Sequence, residues 1–136
     1  MPLGLGSALW GVILPVERTN MCANPSLEFG TQGWAPAAGG ATIGTTSQFQ
    51  QFGAWSLVVT PTASSLGASF GSFTSSTLPP LALGIGSTYT ASAYVRGSVG
   101  LTYAIEIWPT GGGAALAGGS VLATGNWDQV QCTYLE

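Results

Sequence analysis

Histidine and lysine are both missing from this chain of 136 residues, and that narrows the chemistry open to it. Without imidazole there is no ordinary general base, no usual metal nitrogen and no partner for a serine nucleophile. Without lysine there is neither a Schiff base nor a Ser–Lys dyad. Acid–base work falls to five carboxylates: Glu17, Glu28, Glu106, Asp128 and Glu136. A glycoside hydrolase needs two of them facing each other across a cleft, and no spacing in the chain marks such a pair. The sequence is read as that of a non-enzymatic protein.

Three constellations carry binding or cross-linking chemistry. Glu28 follows Asn24-Pro25-Ser26, a turn opening, and precedes Phe29-Gly30 and Gly33-Trp34. A carboxylate set between turns can hold Ca²⁺ together with backbone carbonyls and a second acid, for which Asp128 and Glu136 are the candidates. It can equally cap the turn by accepting backbone N–H groups. Cys22 and Cys132 lie near opposite ends of the chain. If the first and last strands run side by side they can form a disulfide, adding about 4 kcal/mol in the entropic account; otherwise they are two small buried hydrophobes. Two thiols without histidine do not make a zinc site. Finally, Tyr94, Arg96, Glu106 and Trp108 are expected on the outward faces of two neighbouring strands. Aromatics with a few polar groups on a sheet face suit sugar stacking, and they suit a protein interface equally well.

The elements that must position these groups are short strands. There is no sustained 3.6-residue period, while β-branched residues, aromatics, Ser and Thr alternate with Gly and Pro at short intervals. Thr88–Arg96 reads as a strand with Tyr89, Ala91, Ala93 and Val95 on one face. Leu101–Trp108 reads as a second, with Leu101, Tyr103, Ile105 and Ile107 inward, and GSVG between them is hairpin-sized. Weaker strands are expected at Arg18–Ala23, Ala41–Thr45, Trp55–Thr60, Ala68–Ser72, Ala115–Ala117, Ser120–Ala123 and Gln129–Tyr134. Gly111–Gly113 and the AALAGG after it read as a flexible hairpin. Trp34, Trp55 and Trp127 read as plugs of the core. The expectation is an all-β antiparallel sandwich or jelly roll of about eight strands over residues 17–136.

Residues 1–16, MPLGLGSALWGVILPV, are set apart as an apolar N-terminal arm. They lack the positive start and the small-residue cleavage site of an export signal, and they are too short and too broken by Gly and Pro to span a bilayer. Leu3, Leu5, Leu9, Trp10, Val12, Ile13 and Leu14 need another surface to cover them. Charged residues make up only 5% of the chain, against roughly a quarter in an ordinary soluble domain. Little repulsion therefore opposes association with copies of itself or with partners. Two cations and a net charge of −3 exclude a nucleic-acid partner, because nothing neutralises a run of phosphates. Insertion into a membrane is not expected either.

Four stretches in order, ERTNMCANPSLEFGTQGW, QFGAWSLVVTPT, GSTYTASAYVRGS and ATGNWDQVQCTYLE, resemble the jelly-roll carbohydrate-binding modules of the family 4/9 type. Leu27 stands where that pattern has phenylalanine. The opening Arg18-Thr19-Asn20-Met21-Cys22-Ala23-Asn24-Pro25-Ser26 is similar to one found in tailed-bacteriophage virion proteins that contain such domains. The resemblance implies two antiparallel sheets and a structural Ca²⁺ near Glu28. It also implies a structural protein of the virion, decorating a capsid or tail, with other virion proteins or further copies as partners. The alternatives are an extracellular glycan-binding module of a hydrolase and a receptor-binding tail domain that takes a cell-surface glycan.

Overall fold

The structure is a computed structural model, and it describes residues 20–22, 24–37, 40–64, 66–70, 84–109 and 113–136. Among these the fold is all-β and antiparallel, as expected: β1 (Trp34–Pro36), β2 (Ala41–Thr46), β3 (Ser56–Pro61), β4 (Ala68–Phe70), β5 (Thr88–Val95), β6 (Thr102–Ile107), β7 (Ala117–Leu122) and β8 (Asp128–Leu135). The strands pair as four two-stranded ribbons, β1–β4, β2–β3, β5–β8 and β6–β7. One plan thus occurs twice: an outer pair, β1–β4 or β5–β8, encloses an inner hairpin, β2–β3 or β6–β7. The arrangement is consistent with a β-sandwich. The arm, with Leu5, Leu9, Trp10, Val12, Ile13 and Leu14, lies outside the described residues.

The alternation that marks β5 in the sequence is the alternation of burial. Tyr89, Ala91, Ala93 and Val95 are half-buried, and Thr88, Thr90, Ser92 and Tyr94 are exposed. Opposite them in register, Val130 and Cys132 of β8 are buried, at 3% and 7% exposure. Burying Val130 contributes roughly 1.5–3 kcal/mol. The β6–β7 ribbon packs on this pair, turning Tyr103, Ile105, Ala117, Gly119 and Val121 toward it. The seam is thin because small residues line it. A Cβ on Gly119 would run into the carbonyl of Gln131 and sit 3.6 Å from the Cβ of Cys132.

Several expectations are corrected. β5 and β6 are not hairpin partners: Gly97–Gly100 carries the chain from one ribbon to the next, with Gly100 in the left-handed region at φ +85°. Leu101 precedes β6, its N–H bonded to Ser98 O in that turn, and is more than half exposed instead of inward. The two short strands expected at 115–117 and 120–123 are one strand, β7, which takes in part of the glycine-rich segment read as flexible; the ladder to β6 orders Ala117–Gly119. Residues 20–22 are not a strand, since Asn20 turns back to accept the N–H of Cys22. Strand β1 was not expected. Trp55 is an exposed residue before β3, not a core plug, whereas Trp34 and Trp127 are half-buried.

Candidate functional site

Tyr94 on the outer face of β5 and Arg96 just after the strand lie side by side, and the β2–β3 loop, residues 47–55, folds across both. Phe52 meets Tyr94 edge-on, with ring centroids 5.4 Å apart, and the Arg96 guanidinium lies 4.4 Å from the centre of the Phe49 ring. Arg96 Nε also donates to Gly125 O at 3.2 Å, tying β5 to the turn before β8. The loop is knit to itself: Gln50 Nε2 donates to Ser47 O and Ala54 O, Ser56 Oγ to Phe49 O, and Gln48 N to Thr46 Oγ1. Its left-handed Gly53 (φ +73°) abuts Ser26 and the Glu28 carboxylate. The rings are nevertheless wet, Phe52 being 69% exposed and Phe29, beside Glu28, 74%. The contacts are of the kind that contribute about 0.5–1 kcal/mol each at such sites.

The four residues expected on one face divide into two pairs. Tyr94 and Arg96 lie on the outer side of the β5–β8 ribbon. Glu106 and Trp108 lie on the β6–β7 ribbon, which packs against the other side of β5–β8, so the pairs do not form one platform. Trp108 Nε1 donates to Glu106 Oε2 at 2.8 Å, and the Glu106 stem lies over Gly118, whose Cβ would be 3.5 Å from Cγ.

The candidate calcium ligands are not brought together, and among the described residues no group of three or more acidic or cysteine side chains stands close enough to hold a metal. Asp128 closes its own turn, accepting from Thr124 N and Thr124 Oγ1, both at 2.8 Å. Glu136 continues the β5–β8 ladder through its backbone and pairs its carboxylate with the Tyr134 hydroxyl. Glu28 stands at the exposed rim of the first loop. Cys22 and Cys132 are free thiols. Cys132 lies on the last strand, which pairs with β5, and Cys22 lies before β1 in a segment that is not a strand. Burial raises both thiols above their ordinary value.

The organiser of the first loop is Asn24, 4% exposed and buried. Its Nδ2 donates to Gly30 O and Gln32 O, its Oδ1 accepts from Phe29 N, and its backbone oxygen accepts from Trp34 Nε1 and Leu27 N. Leu27, Gly30 and Gly33 take left-handed conformations within the same run of turns. Sequence reasoning placed a turn here but not its buried amide, and it passed over Phe49 and Phe52. The signal for the two phenylalanines is their three-residue spacing in SQFQQF, a charge-free loop with no strand alternation.

No family model matches the chain, and no curated protein and no solved structure matches it.

Proposed function

We propose that this chain is a non-enzymatic structural protein of a tailed-phage virion, a capsid or tail decoration domain that works by associating with copies of itself or with neighbouring virion proteins. The observation that carries the reading is the kind of surface it has. Phe29, Phe49, Phe52, Val99, Leu101 and Leu122 are exposed on a chain with hardly any charge to keep such surfaces apart. The virion setting comes from the similarity of its opening motif to those of phage proteins, and the apolar arm adds a further segment that needs covering. Light scattering on the full chain over a dilution series tests it: mass is expected to rise with concentration above that of one chain.

A second reading is favoured by one specific feature, the exposed rings of Phe52 and Tyr94 beside the Arg96 guanidinium, which suit stacking on a glycan of a cell surface or polysaccharide. A chain that stays monomeric and is retained on polysaccharide gels would establish this reading against the first.

A further inference from the structure

We propose that Glu28, Phe49, Phe52, Tyr94 and Arg96 form one self-complementary docking face, which takes the same face of a second copy with Glu28 of each chain opposite Arg96 of the other. The proposal rests on the association reading above and names the surface that carries it.

Three separate elements supply the face, and they touch in a row. The Glu28 carboxylate lies against Gly53, with Oε1 3.6 Å from where a Cβ there would stand. Phe52, next in the chain, meets Tyr94. Two residues after Tyr94, just past the end of β5, Arg96 stacks on Phe49. An acid stands at one end, a cation at the other, and exposed rings lie between.

Among the described residues neither charge is neutralised by an opposite one. Arg96 donates to a backbone carbonyl and rests on a ring, and among the described residues no carboxylate is within ion-pair distance of it. Glu28 likewise has no cationic partner among them. A two-fold axis near Phe52 brings like rings together and sets each acid against the opposite cation, as an isologous interface requires. Apolar rings at the centre with charges at the rim is how interfaces are built, and Tyr, Phe and Arg are the residues enriched there. The rim pairs add little net affinity but fix orientation, because a like-charge contact is costly. A face carrying one sign of charge would call for a different molecule; this one carries its own complement.

The test is sedimentation velocity on full-length Glu28→Arg and Arg96→Glu variants, each alone and then mixed. Each reversal alone is expected to weaken association at least about tenfold. Mixing the two restores it, since both rim contacts in the mixed dimer are then between opposite charges. If Arg96→Glu fails to fold once its ring contact is gone, Glu28→Arg against Glu28→Gln decides: reversal must weaken association more than neutralisation does. Association of Glu28→Arg equal to that of the unchanged chain, or a mixture no tighter than its parts, overturns this face while leaving the association reading standing. An unchanged chain that is monomeric at every concentration removes both.

Discussion

Asn24 shows how much one buried side chain can hold. Replacing it with alanine strips two carbonyls and one N–H of their partner. Asn24→Ala is expected to destabilise the fold by about 2–3 kcal/mol, read as a lower urea midpoint with an unchanged slope. The nearby Leu27 adds a second local demand. It is buried, yet its φ of 60° lies in the region that side chains seldom adopt, so its packing holds a backbone shape that glycine would take more readily. The turn was legible from Asn24-Pro25-Ser26, but an asparagine's burial depends on carbonyls six and eight residues away, which no local pattern announces. At the other end of the chain, burial raises the Cys132 thiol above its ordinary 9.0, with Glu106 adding to the rise and a hydrogen bond to the Ala91 backbone opposing it. A hydrogen bond to the Glu136 carboxylate raises the Tyr134 hydroxyl above 10.0. Both groups bind their protons more tightly folded than unfolded, so their contribution is intact below about pH 9 and is lost as pH climbs through the folded values. Melting temperature is expected to hold level from pH 7 to 8 and fall above 9, less steeply in Cys132→Ala.

At the scale of elements, period-two alternation made β5 and β6 legible almost to the residue, because each strand is half-covered and half-wet. What alternation could not reveal was partnership. A four-residue GSVG connection has the length of a hairpin, but here it joins two stacked ribbons. The deciding interaction is the thin Ala–Cys–Gly seam between β5–β8 and β6–β7, which is non-local. The same blind spot explains why Glu106 and Trp108 were expected beside Tyr94 and Arg96. Gly119 is the residue on which that seam depends. Gly119→Ala drives a methyl group into the Gln131 backbone, which cannot rotate away, and is expected to cost about 3 kcal/mol. Its neighbour Gly118 faces outward, where a methyl would make ordinary contact with Glu106. Gly118→Ala is therefore the control, expected to leave the urea midpoint close to that of the unchanged chain.

For the molecule as a whole, the two halves repeat one nested plan, and the β2–β3 loop reaches from the first half to the end of β5 in the second. The class of fold was legible because composition and turn spacing leave room for little else. The aromatic face was only half legible: Tyr94 and Arg96 sit on a recognisable strand, but Phe49 and Phe52 come from a loop whose path is set by tertiary contacts. On this account those rings serve contact with another molecule more than the folding of their own chain. Phe52 separates the two roles most cleanly, being largely exposed and touching Tyr94 from outside. The direct measurement is sedimentation equilibrium of the full chain and of Phe52→Ala, with melting temperatures taken on both. Phe52→Ala is expected to melt within a few degrees of the unchanged chain while its self-association weakens at least about tenfold. A Phe52→Ala protein that associates as before but melts like a core truncation would contradict it.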